Sequence, residues 1–109
     1  MGVLYTDAFT ANVPRPDVDA FVAAFRDRHQ SMPGTFAALG YDAARWVFHV
    51  GARAPQLDAH SLRDLLPNSR LDDGVAGPFA VDIHRALARS VYLLRVERDG
   101  VGVAATISP

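Results

Sequence analysis

Four histidines, His29, His49, His60 and His84, are the side chains best suited to acid–base or metal chemistry near neutral pH in this sequence of 109 residues. No two of them stand four residues apart, and no histidine–glutamate–x–x–histidine pattern occurs, so their spacing offers no helical metal site. A serine–histidine–aspartate set can be drawn from the hydroxyl residues, but no nucleophile elbow or oxyanion loop accompanies one. The adjacent carboxylates Asp72 and Asp73 precede Gly74, an arrangement that reads as a solvent-facing turn rather than an acid–base pair. Glycine is dispersed, without a GxGxxG or P-loop pattern, so no nucleotide cradle is expected. No catalytic residue, metal or cofactor follows from these residues.

Composition narrows the chemistry further. All eleven cations are arginine, which excludes a lysine Schiff base or a P-loop lysine. Cysteine is absent, which excludes disulfides, thiolate nucleophiles and sulfur-ligated metals. The net charge of −1 gives no excess positive field for nucleic acid. Arg85, Arg89, Arg95 and Arg98 lie near the strand-forming segments, without an aromatic platform between them, and read as a solvated face. With 50% hydrophobic and 21% charged residues the chain has the balance of a globular protein, long enough for one modest core. No apolar stretch reaches membrane-spanning length, and the start Met1-Gly2-Val3-Leu4-Tyr5 shows no export signal.

The elements that would position any site follow from local patterns. Val3 to Thr6 reads as a strand. Pro14-Arg15-Pro16 opens a helix with Asp17 and Asp19 in its first turn, and Val18, Phe21, Val22 and Phe25 form an apolar stripe. Ser31-Met32-Pro33-Gly34 ends it. Thr35 is expected to cap a second helix reaching about Val50, with Phe36, Leu39, Ala43, Val47 and Val50 on one stripe. Ala37, Ala44, Trp46 and Phe48 extend that apolarity, so this helix is expected to be buried on more than one side. Gly40 within it predicts close approach of a backbone or ligand. Asp42 and Arg45 are spaced for an intrahelical ion pair. Asp58 is expected to cap a short helix that turns Leu62, Leu65 and Leu66 inward before Pro67. Beyond Asn68, Phe79 to Val81 and Val91 to Val96 read as strands. Asp99-Gly100 predicts a terminal hairpin whose two central residues have positive φ.

The run Phe36-Ala37-Ala38-Leu39-Gly40-Tyr41-Asp42-Ala43-Ala44-Arg45 resembles the type I solute-binding proteins of ABC transporters, the branched-chain amino-acid-binding family. The likeness continues through the helix from Asp17 to His29, the leucine-rich Ser61 to Leu66, and Leu71-Asp72-Asp73-Gly74-Val75-Ala76-Gly77-Pro78-Phe79-Ala80-Val81-Asp82. It ends with Tyr92-Leu93-Leu94-Arg95-Val96 and the Asp99-Gly100 hairpin, all in family order. What is similar to this chain is the C-terminal third of the family's much longer members.

The resemblance implies an α/β fold (α+β as an isolated piece), with three helices packed on a small sheet that carries a C-terminal antiparallel hairpin. Residues 1–109 then form a single partial domain, mainly helical over 1–67 and strand-rich over 68–109. It implies non-covalent capture of an amino acid or similar small polar ligand by lobe closure, delivery to a membrane permease, and a periplasmic or cell-envelope setting for the intact protein. Phe36 aligns with a position where the family places an aromatic against the ligand, and Tyr41 belongs to the family signature; these are the candidate ligand-binding residues. Each also has a packing reading: Phe36 as a core aromatic between helices, Tyr41 as a packed ring with a hydrogen-bonded hydroxyl. The isolated chain is expected to bind ligand weakly or not at all. Its faces were shaped to be covered, so a homo-oligomer is expected. Two alternatives stand beside this reading. One is a self-associating α+β interaction module without a small-molecule ligand. The other is a small enzyme in which His49 or His84 meets a carboxylate in a pocket.

Overall fold

The computed structural model describes residues 2–108. Strand β1 (Leu4–Asp7) leads through a connector into α1 (Pro16–His29), then α2 (Thr35–Gly51) and α3 (Ala59–Leu65). Five short strands follow: β2 (Arg70–Leu71), β3 (Phe79–Val81), β4 (Leu87–Arg89), β5 (Val91–Glu97) and β6 (Gly100–Ile107). The three helices and the terminal hairpin are as expected. The strands, however, divide between two antiparallel sheets rather than one, in the orders β1-β5-β6 and β2-β3-β4.

Helix α1 begins where Pro16 supplies a preset φ and no orphan N–H, and Asp17 and Asp19 face the positive end of its dipole. It ends at Gln30 in the left-handed conformation, three residues before Pro33. Helix α2 starts differently from expectation. Its N-cap is Gly34, with no side-chain cap. Thr35 is the first helical residue, and its hydroxyl donates instead to Asp7 Oδ1 at 2.5 Å, tying the helix to the end of β1. Asp58 does cap α3, its carboxylate accepting the Ser61 N–H at 2.8 Å. Leu62 and Leu66 are half-buried, but Leu65 lies on the exposed side of this short helix.

The main core gathers Phe9 from the connector, Val18 and Phe21 from α1, Ala38 from α2, and Val75 and Ala76 from the loop before β3. Phe9 meets Phe21 edge-on at 6.0 Å between centroids. The predicted α1 stripe is therefore the buried one, with Val22 and Phe25 packed at its margin. Helix α2 buries only one face, through Ala38, Asp42 and Val50. Ala43 and Ala44 are exposed, and so are Phe36 and Phe48, at 90% and 71%. The expectation of burial on several sides fails within this chain. Gly40 likewise faces open space: among the described residues nothing would lie within 4 Å of a Cβ there, so no close approach explains it.

In the larger sheet, β5 pairs with β1 from Leu4↔Arg95 to Asp7↔Tyr92 and with β6 from Val91↔Ile107 to Glu97↔Gly100. The register slips between Leu93 and Leu94, leaving Ala104 as the extra residue of a β-bulge. The hairpin loop is Arg98-Asp99 rather than Asp99-Gly100. Positive φ falls on Gly100 alone, at 139°, which removes the need for a left-handed aspartate.

The molecule is open for its size. Its radius of gyration is 15.8 Å, against about 13 Å for a compact domain of this length. Its accessible surface is 7185 Å² for 11.8 kDa, against about 5,900 Å² for a compact monomer of that mass, an excess of about 1,300 Å².

Candidate functional site

The two residues singled out in the sequence lie on one helix but on different faces. Phe36 is the second residue of α2 and projects from its first turn into solvent; the reading of it as an inter-helix core aromatic does not hold. Tyr41 follows five residues later, about 140° around the helix axis, so the two rings do not converge on one point. The Tyr41 ring packs on Phe21 at 4.7 Å between centroids and is 43% exposed. Among the described residues its hydroxyl has no hydrogen-bond partner, so the expected satisfied, buried tyrosine is replaced by a half-exposed one. The Arg45 guanidinium lies 5.6 Å from the Tyr41 ring centroid, in cation–π range.

Tyr41 forms one wall of a shallow cavity of about 290 Å³, lined also by Phe21, Asp17, Arg45, Asp73 and Val75. Ion pairs frame it. Arg45 reaches Asp73 at 2.7 Å, and Arg15 reaches Asp17 at 2.5 Å while also donating to the Gly74 carbonyl at 2.8 Å. The Arg15 hydrogen bond holds the Asp17 carboxyl below its ordinary carboxylate value. The guanidinium groups of Arg15 and Arg45 are held further toward the charged form by their aspartate partners.

Next to Tyr41 on α2 stands Asp42, whose role differs from the expected intrahelical pair. Asp42 is 1% exposed, and its two carboxylate oxygens accept the Val75 N–H at 2.8 Å and the Ala76 N–H at 2.9 Å. The expected Asp42–Arg45 pair is not formed, because Arg45 turns outward to Asp73 and Asp42 turns inward to the loop. The surviving signal was a carboxylate in the middle of an apolar helix followed, far along the chain, by a glycine-rich turn. Gly74 lets that turn close: a Cβ there would lie 2.5 Å from the Gly77 carbonyl oxygen and 2.8 Å from Asp42 Oδ2. The arrangement locks α2 to the 74–77 loop, and so fixes where Phe36 and Tyr41 stand.

The groups able to do bond chemistry are scattered. His49 contacts the Arg53 guanidinium at 3.1 Å, and His60 lies 3.5 Å from Asp64 on the exposed surface of α3. His84 sits in the β3–β4 turn, where its backbone N–H, not its ring, donates to Asp82. Neither His49 nor His84 meets a carboxylate through its ring among the described residues, so the arrangement required by the enzyme alternative is not formed. Asp72 and Asp73 pair with Arg70 and Arg45 at the exposed turn. Arg89 departs from the solvated face expected of it, lying half-buried with its guanidinium 5.2 Å from the Phe79 ring centroid. Among the described residues no cluster of three or more histidines and carboxylates could hold a metal ion, and no helix is long and apolar enough to cross a membrane. What the surface offers is an apolar ring, a half-exposed phenol and fixed charges, suited to non-covalent contact.

Comparison with known proteins bears on the family and the fold. A family model described as periplasmic binding protein matches residues 1–101. The chain superposes with a TM-score of 0.88 on a branched chain amino acid ABC transporter periplasmic ligand-binding protein from Burkholderia xenovorans LB400, at 26% identity, covering 100% of this chain and 31% of that one. It superposes with a TM-score of 0.86 on a solute binding protein of an ABC transporter from Rhodopseudomonas palustris BisB5, solved with 3,4-dihydroxy benzoic acid, at 25% identity over 99% of this chain and 31% of that one. A leucine binding protein from Thermotoga maritima MSB8 gives a TM-score of 0.79 at 25% identity, again over 99% and 31%. No curated protein matches. The chain thus spans about a third of the length of these solved structures. Matched by the family model over nearly all its residues and by the fold over its full length, it belongs to the periplasmic binding protein family, the type I solute-binding proteins of ABC transporters.

Proposed function

We propose that this chain forms one wall of the ligand cleft of a solute-binding protein that captures amino acids of the branched-chain type, or similar small polar ligands, for uptake. Capture is non-covalent and involves no enzyme chemistry: two lobes close on the ligand, and contacts made only in the closed state hold them together. Residues 1–109 act as a partial domain in this reading, with Phe36 supplying an apolar surface for the ligand's side chain and Tyr41, about 140° further around α2, offering a separate contact in the shallow cavity beside Phe21. The intact protein works in the periplasm or cell envelope and hands its ligand to a membrane permease.

The observation that carries this reading is the exposure of Phe36 at the start of α2 in a chain that superposes end to end on 31% of a branched chain amino acid ABC transporter periplasmic ligand-binding protein. An aromatic ring left 90% in water gains nothing from its own fold. The similar structures include a leucine binding protein and a solute binding protein in complex with 3,4-dihydroxy benzoic acid, so an α-amino acid and an aromatic carboxylate are the two ligand types to test. With one wall of a two-walled cleft, the isolated chain binds them weakly or not at all. Calorimetric titration with leucine, valine and 3,4-dihydroxybenzoate is expected to give no micromolar dissociation constant; a micromolar value would mean that the cleft is complete within this chain.

The same chain on its own self-associates. Its surface excess of about 1,300 Å² exceeds the roughly 800 Å² that each partner buries in a standard interface. The alternative of a dedicated interaction module draws on that excess too, but leaves the family match without a role.

A further inference from the structure

We propose a second small-molecule site on this chain, for an amphiphilic carboxylate, in the cleft between the C-terminal half of α2, α3 and the β3–β4 hairpin. The cleft encloses about 320 Å³, within the size range of ligand pockets. Its apolar walls are Trp46 of α2, Leu66 after α3, Val81 of β3 and Leu87 of β4, and its charged lining residues are Arg63 of α3 and Arg85 of the β3–β4 turn. Every wall comes from this chain. Trp46 stands ten residues, or about 15 Å, along α2 from Phe36, so the site is separate from the proposed ligand wall.

Three observations point to an anion with an apolar body. First, two residues that line the cleft, Arg63 and Arg85, make no side-chain hydrogen bond or ion pair among the described residues. Second, Arg85 is held in the left-handed region at φ 65°, which a residue with a Cβ rarely adopts. Asp82 fixes the turn there, its Oδ1 accepting the N–H groups of His84 at 2.7 Å and Ala86 at 2.9 Å. Third, Arg89 lies on the same face of the sheet as Val81 and Leu87, since Phe79 pairs with Arg89 and Val81 with Leu87. Among the described residues its Nη1 is buried without an acceptor, a state that normally calls for one. Two guanidinium groups without side-chain partners among the described residues therefore line an apolar cleft, and a third, packed on the Phe79 ring, lies on the same face of the sheet. A carboxylate on a short alkyl or aryl body would satisfy the arginines while its body covers Trp46 and Leu87.

Trp46 is the only tryptophan, so its emission reports directly on this cleft. Titration of the chain with hexanoate and, separately, with phenylacetate distinguishes alkyl from aryl acids. At least one is expected to give a saturable change in Trp46 emission with a dissociation constant on the order of 1 mM. The neutral hexanamide should bind about tenfold more weakly or worse, a comparison that needs no variant. Arg85→Gln and Arg63→Gln, at exposed positions, should each weaken carboxylate binding by about tenfold while leaving the unliganded emission unchanged. The proposal is overturned if neither acid gives a saturable change up to about ten times that concentration, if hexanamide binds as well as hexanoate, or if both arginine variants bind like the parent.

Discussion

Asp42 Oδ1 accepts the backbone N–H of Val75 at 2.8 Å across 33 residues of sequence, from a side chain that is 1% exposed. The pairing substitutes for a cap. A loop with no regular structure finds a fixed acceptor inside a helix, and the carboxylate, which would be costly to bury alone, is solvated by two peptide dipoles. Because the loop also contributes Val75 and Ala76 to the core, this contact joins α2 to α1 through shared packing.

Asp42→Asn keeps the shape but presents an amide N–H to one of the two backbone donors. That buried N–H loses its acceptor, and the loss is expected to cost about 2–4 kcal/mol of stability. The urea unfolding midpoint measures it; a change within about 0.5 kcal/mol would show that the loop does not depend on this contact.

Two glycines should respond to alanine with opposite signs. At Gly74 the added Cβ meets Gly77 O at 2.5 Å and Asp42 Oδ2 at 2.8 Å, so Gly74→Ala should destabilise by about 1–3 kcal/mol. At Gly40 the Cβ meets nothing within 4 Å in an exposed helix interior, so Gly40→Ala should stabilise by about 0.5–1 kcal/mol. Thermal unfolding of the two variants side by side tests the pair.

Acid should weaken the fold through Asp17 and Asp58. The Arg15 hydrogen bond depresses the Asp17 pKa, and the Ser61 backbone N–H depresses that of Asp58. A depressed carboxylate contributes stability above its unfolded value and loses it as pH falls through the folded value. The urea midpoint should therefore hold from neutrality to about pH 4 and decline below it. Asp17→Asn should lower the midpoint slightly at neutral pH and flatten the decline; an unchanged acid slope would contradict the assignment.

How much of this was legible in the sequence depended on how local the cause was. Helix α1 followed from Pro16 and the Val18–Phe21–Phe25 spacing, and the β5–β6 hairpin from two β-prone runs around a tight turn. Both are short-range facts. Strands β2 and β4, at two and three residues, are too short to show an alternation and exist only because β3 lies between them. The role of Asp42 was invisible for the same reason, since its partners lie more than thirty residues away. Helix α2 misled in a different manner. Periodicity reports that a face is apolar, not that this chain covers it, so Phe36 and Phe48 read as core and stand in solvent. The order of motifs from Phe36 to Asp82, by contrast, carried the family correctly.

The apolar residues that α2 leaves in solvent, Phe36 and Phe48, are expected to be covered by a second copy when this chain stands alone, and light scattering at micromolar concentration reads this out. A species of two or more chains is expected, and Phe36→Ser should shift it toward the monomer while leaving the unfolding midpoint within about 0.5 kcal/mol of the parent. A stable monomer, unaffected by Phe36→Ser, would contradict it.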